Sequence, residues 1–161
     1  MTPLVLREDH DGLATLTMNR PDKLNALTVA MFQQLQAHVL QIASETERVG
    51  LVLLRGAGTC FPAGHDLADI SHGERPPQPS FQADTIELLA ELPQPVIAAV
   101  HGHCNTGALE LALAADLIVA AESAKFADTH ACWALTPVWG MIAPGRSQAL
   151  IPERAARRGV Q

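Results

Sequence analysis

Residues 95–110 read PVIAAVHGHCNTGALE, from Pro95 to Glu110, and the reading of this run decides the fold. Val96 to Val100 is a short continuous apolar run of strand length, a glycine-bearing turn follows, and an apolar helix then opens with a single carboxylate, Glu110. The first N–H groups of a helix have no partner inside it, and the aligned peptide dipoles add partial positive charge there. The Gly107 N–H is therefore placed to donate to a developing oxyanion. Glu110 lies three residues further on, about one helical turn, which brings its side chain near that donor. A second glycine bend, Phe61-Pro62-Ala63-Gly64-His65-Asp66-Leu67, is a source of a second donor. Two main-chain donors with an acid beside them make a device for stabilising an enolate.

Outward from this run, strands alternate with helices. Leu4 to Leu6 and Leu13 to Met18 are strand-like, and Asp11-Gly12 between them is a hairpin signal. Met31, Phe32, Leu35, Val39, Leu40 and Ile42 recur at helical spacing, with Thr28 as the N-cap. Leu51 to Leu54, Val96 to Val100 and Leu117 to Ala121 are apolar without alternation, as expected of strands covered on both faces. Helices over about Phe81 to Leu92 and Ala108 to Ala115 lie between them. The class is α/β, without an internal repeat, and the proline-rich stretch Gly73 to Pro79 is a surface loop.

With 161 residues the chain can bury a sizeable core in one domain. Hydrophobic residues make up 48%, yet no apolar run reaches the roughly 18 residues of a membrane span. The start, MTPLVLREDHDG, lacks the features of a signal peptide, so a cytoplasmic protein away from membranes is expected. A formal charge of −6 argues against a nucleic-acid partner. Cys60, Cys104 and Cys132 are odd in number and irregular in spacing, which suggests free thiols in a reducing compartment.

Four segments carry a family resemblance: NRPDKLNAL (Asn19 to Leu27), AGHDL (Ala63 to Leu67), AAVHGHCNTGALELALAAD (Ala98 to Asp116) and FADTH (Phe126 to His130). In order and approximate spacing the chain resembles the crotonase, or enoyl-CoA hydratase/isomerase, superfamily over residues 1 to about 140. The resemblance implies a crotonase-like spiral of ββα units, an acyl-CoA thioester as substrate, no metal or redox cofactor, and a homo-oligomer, commonly a trimer. It also implies the N–H groups of His65 and Gly107 as the oxyanion hole. Backbone donors tolerate a histidine side chain at the first of these positions. Ala26, Ala63, Asp66 and Leu67 are implied to line the acyl-CoA cleft.

Glu110 matches one of the two glutamates by which hydratases hold and activate water. A carboxylate within Ala-Leu-Glu-Leu-Ala-Leu is costly to bury unless paired or functional, although an amphipathic helix that points it to solvent is the bland alternative. The other glutamate has no counterpart: alignment on Phe126 and Pro137 places His130 there. An imidazole exchanges protons near neutral pH but brings no negative charge when neutral, so His130 is read either as catalytic or as a structural residue. Asp128 is close in sequence, and nothing there aims it at the ring. His101, His103 and Cys104 lack a clear fourth ligand for zinc. No dinucleotide fingerprint, P-loop or nucleophile elbow is present, and Trp133 and Trp139 are read as packing residues.

After Met141 the chain departs from the pattern. Arg146, Arg154, Arg157 and Arg158 crowd residues 142–161, and by the resemblance the family's C-terminal helical portion is expected to be missing. Two segments are therefore expected, a crotonase-like core over 1–141 and a divergent basic tail over 142–161, with insertion or frameshift as the origins considered. The shortened product is expected to expose apolar surface and to assemble poorly. The sequence supports an enoyl-CoA hydratase-like protein; an isomerase using one base and a non-catalytic acyl-CoA-binding remnant are the alternatives.

Overall fold

A computed structural model describes residues 2–130, Trp139 and, as backbone, 148–150. The Asp11-Gly12 pair sits at φ 47° and 81°, the left-handed turn that matches strand twist, and it closes a hairpin of β1 (Val5–His10) on β2 (Leu13–Met18). β1 continues well past Leu6, with Arg7 to His10 paired in register against Leu16 to Leu13. Charged side chains do not stop an edge strand; they protect it from further pairing. Here Arg7 and Arg48 bind Asp9 and Glu45 along that edge.

From β2 the sheet grows by parallel neighbours: β3 (Leu51–Gly56), β4 (Val96–Val100), β6 (Leu117–Ala120) and β8 (Gln148–Leu150). Its order is β1-β2-β3-β4-β6-β8. Crossovers between parallel strands need helices. α1 (Val29–Ala43) starts where the Thr28 hydroxyl accepts the Met31 N–H at 3.2 Å, and it packs against β1, β2 and α3 (Phe81–Ala90). Leu16, Met18, Met31, Phe32, Leu35, Leu54, Ala98 and Leu111 belong to one buried cluster. Each large apolar side chain there contributes about 1.5–3 kcal/mol by leaving water.

The expectation of strands covered on both faces needs correcting. In β3, Val52 and Leu54 are buried while Leu51 and Leu53 are only partly so, and in β4 Val96, Ala98 and Val100 alternate with half-buried Ile97 and Ala99. Among the described residues only one face of the sheet is sealed. A continuous apolar run does not separate one covered face from two, because the second face needs only a partial cover to hold its side chains.

Two short pieces position the site. β5 (His103–Asn105) pairs in parallel with β7 (Lys125–Ala127) as a separate two-stranded sheet, and α2 (Leu67–Ser71) follows the second glycine bend. α4 (Gly107–Leu113) leaves directly from the end of β5. The expected tail, 142–161, lies outside the described residues except for the backbone of 148–150. No helix among the described residues is long and apolar enough to cross a membrane.

Candidate active site

The β5–β7 pairing brings residues far apart in sequence to one place. Thr106 N–H donates to the Ala127 carbonyl at 2.9 Å, so the start of α4 lies beside the end of β7. Thr106 is held at φ 46°, ψ −117°, a conformation that a β-branched residue adopts only under constraint. The helix then begins at once, with the Glu110 N–H bonded to the Thr106 carbonyl at 3.0 Å.

Glu110 points inward and is only 2% exposed, which rules out the solvent-facing alternative. Its Oε1 lies 3.1 Å from Nε2 of His130, and its Oε2 accepts the Trp139 main-chain N–H at 2.6 Å. His130 is buried too, and its other ring nitrogen, Nδ1, lies 2.7 Å from Oδ1 of Asp128. The same Asp128 oxygen accepts the His130 main-chain N–H at 3.1 Å. That backbone bond, with the ring bond behind it, holds the Asp128 carboxyl below its ordinary value. Asp128, His130 and Glu110 thus form one line from the half-exposed carboxylate to the buried one.

The two glycine bends lie back to back. Gly64 sits at φ 141°, and a Cβ there would approach Thr106 Oγ1 to 2.9 Å and the Asn105 carbonyl to 3.2 Å, so only glycine lets the bends come this close. Among the described residues neither the His65 nor the Gly107 main-chain N–H has an acceptor. The His65 ring is turned away to Glu74, 2.8 Å from Nε2 to Oε2. The indole of Trp139 fills the space beside both bends. Its ring centroid is 4.5 Å from that of His65 and 5.0 Å from that of Phe32, and it packs on Gly107 closely enough to exclude a Cβ there.

The expected cleft residues are stitched together by main-chain bonds. Leu27 N–H donates to the Gly64 carbonyl at 2.8 Å, Ala63 N–H to that of Leu24 at 3.0 Å, and Asp66 N–H to that of Leu27 at 2.9 Å. Ala26, Ala63 and Leu67 therefore belong to one seam, and Leu67 is left half exposed. Asp66 has other work in that seam. Its Oδ1 caps α2 through the Ala68 N–H at 2.8 Å, and its Oδ2 pairs with Arg20. Burial alone would lift its pKa; Arg20 and the Asp69 and Ala68 N–H groups outweigh this and hold it below the ordinary value.

The sequence profile described as enoyl-CoA hydratase/isomerase matches residues 8–160. The chain belongs to the enoyl-CoA hydratase/isomerase family. It is 35% identical over 136 residues to a probable peroxisomal enoyl-CoA hydratase 1 of Arabidopsis thaliana, an alignment covering 84% of this chain and 51% of that protein. It is 36% identical over 147 residues to the 1,2-epoxyphenylacetyl-CoA isomerase of Escherichia coli, covering 87% and 56%. The crystal structure of an enoyl-CoA hydratase from Bacillus anthracis superposes with a TM-score of 0.78 at 34% identity, covering 85% of this chain and 55% of that one. The chain spans about half the length of these relatives. Family membership fits the α/β architecture, while the chemistry of this chain rests on its own residues.

Three residues of this cluster were not tied to their partners by sequence reasoning. Asp128 precedes His130 by two positions just after β7, and its carboxylate accepts the His130 main-chain N–H, the local i to i+2 bond that aspartate side chains favour. Trp139 and Arg20 meet their partners across 29 and 46 residues, which no local pattern reveals.

Proposed function

We propose that this chain binds a 2-enoyl-CoA thioester and adds water across its double bond through an enolate. The observation that carries the reading is the buried Glu110–His130 contact beside two main-chain N–H groups without acceptors. In this scheme the N–H groups of His65 and Gly107 receive the thioester oxygen. Glu110 takes a proton from water as the water oxygen bonds to C3, and the displaced electron pair moves onto the thioester oxygen as the enolate. C2 then gains a proton from His130 or from solvent. Main-chain donors meet the oxygen's charge, so the scheme asks for no metal or redox cofactor. Removing one donor from an oxyanion hole typically costs about 10²–10³ in rate. Ala26, Ala63 and Leu67 line the acyl-CoA side, with Asp66 bracing their seam against Arg20. Assembly with further copies, as a trimer, belongs to the same proposal.

Specific observations favour two other readings. One acidic group at the site, Glu110, suffices for an isomerase, which moves a single proton between carbons. The indole of Trp139, seated beside both bends, favours a non-catalytic acyl-CoA binder. Incubation of the full chain with crotonyl-CoA and, separately, with a 3-enoyl thioester separates the three. Hydration predicts loss of the conjugated enoyl absorbance and a 3-hydroxyacyl product. A 2-enoyl product from the 3-enoyl thioester alone indicates the isomerase. Calorimetric acyl-CoA binding with no turnover of either thioester overturns both catalytic readings.

A further inference from the structure

We propose that Asp128 is a positioning residue that fixes the His130 ring with Nδ1–H toward itself and Nε2 toward Glu110, so that the imidazole returns the reaction's proton to its source. The inference rests on the hydratase reading and assigns a role to a side chain outside that scheme.

An ionised carboxylate only accepts hydrogen bonds, so the 2.7 Å contact between Asp128 Oδ1 and His130 Nδ1 requires the proton on Nδ1. Asp128 is kept ionised there by the His130 main-chain N–H and ring, which hold its pKa below the ordinary value. The ring cannot flip without losing this bond, and the main-chain bond to the same oxygen fixes the carboxylate as well. Nε2 is then the atom that meets Glu110 Oε1 at 3.1 Å, and a carboxylate oxygen and a ring nitrogen at that distance share one proton. Among the described residues, Glu110 from α4 and Asp128 from the end of β7 are the charged groups that face the ring. The His65 ring, which packs on Trp139, is engaged with Glu74.

This line closes the cycle. With Nε2 also protonated and Glu110 ionised at the start, Glu110 takes a proton from water and Nε2 gives its proton to C2, which leaves a protonated Glu110 and a neutral ring with Nδ1–H still on Asp128. Transfer from Oε1 to Nε2 through their direct contact restores both groups, with no proton gained or lost. A hydratase whose two acids are both carboxylates has no such imidazole to orient, and an aspartate paired with the ring's far nitrogen supplies what the substitution of histidine needs.

The test uses the full chain and three variants. Asp128→Asn keeps an oxygen acceptor but removes the charge, Asp128→Ala removes both, and Asp128→Glu restores the charge at altered reach. The Asp128 side chain is about half exposed, so the core is left intact. The first readout is the ¹⁵N spectrum of the His130 ring, which reports the protonated nitrogen without reference to activity. Wild type is expected to show a protonated Nδ1, Asp128→Ala a mixture shifted toward Nε2–H, and Asp128→Asn a state close to wild type. The second is crotonyl-CoA hydration, where Asp128→Ala should lower kcat on the order of tenfold or more while KM stays within about twofold, with partial recovery in Asp128→Glu. An unchanged ring spectrum in Asp128→Ala overturns the positioning role, and so does a loss confined to KM. A shifted ring spectrum in a chain whose wild type hydrates nothing supports the positioning role and overturns the hydratase reading instead.

Discussion

Gly107 lies under an aromatic ring, and replacing it with alanine tests how the site is packed. A Cβ at residue 107 would stand 2.6 Å from Cε3 of Trp139 and closer still to Cζ3, whereas real carbon contacts need about 3.5 Å. The indole cannot simply step aside, because Phe32 and His65 pack against it and its main chain is tied to Glu110. Overpacking of this kind costs about 1–3 kcal/mol. Gly107 has no positive φ, so alanine also brings a helix-propensity gain of up to about 1 kcal/mol. The net expectation for Gly107→Ala is a loss of about 1–2 kcal/mol, or roughly 5–30-fold in the folded-to-unfolded ratio. In a Trp139→Leu background the ring is gone and only the propensity gain remains, so the sign should reverse. Urea denaturation followed by far-UV circular dichroism measures both changes through the midpoint at constant slope. Equal losses in the two backgrounds would refute the claim that the indole occupies this space.

Three further outcomes are expected. Asn25 is fully buried at φ 54°, accepts the Arg20 N–H at 2.8 Å and donates to the Ala57 and Cys60 carbonyls at 2.7 and 2.8 Å, so Asn25→Ala should cost about 2–4 kcal/mol in thermal melts. Asn25→Gly, which restores only the backbone freedom, should recover a minor part; equal stability of wild type and Asn25→Ala would contradict this network. The folded-state pKa of Asp66 lies below its unfolded value of about 3.8, so its contribution is fully present above that value and is lost as pH falls through the folded one. The stability gap between wild type and Asp66→Asn, followed by urea titrations across pH, should be widest near neutrality and close below about pH 4, and a gap independent of pH would count against the Arg20 pair. Burial pushes the Cys104 thiol up to about 12 and raises that of Cys60, so in a Cys132→Ser background alkylation at pH 8 should be slow until denaturant is added. Stoichiometric labelling of the native chain would overturn that assignment.

What could be read from the sequence was what repeats locally. Val96 to Val100 and Leu13 to Met18 are the strands expected residue for residue, since apolar content and flanking turn residues mark both ends. α1 was equally clear, with its buried stripe Met31, Phe32, Leu35, Val39, Ile42 and its Thr28 cap. β5, β7 and α2 were missed because each is three to five residues long, too short for any period to show. The Asp66 cap was nonetheless a readable start signal for α2. At the site, the pairing of acid and helix start followed from the spacing of Gly107 and Glu110. The meeting of Glu110 with His130 needed the family alignment, and the Trp139 wedge needed the fold itself. Contacts closed by a two-stranded side sheet depend on where that sheet lands, and nothing local in 103–105 or 125–127 records it.

Hydration of crotonyl-CoA by the full chain, measured for wild type and Glu110→Gln side by side, tests the central claim most directly. Glutamine keeps the shape and an oxygen for the Trp139 N–H but cannot take a proton. Wild type is expected to turn over, and kcat of the variant to fall by about 10²–10⁴ at unchanged acyl-CoA affinity. Equal rates in the two proteins would contradict that claim.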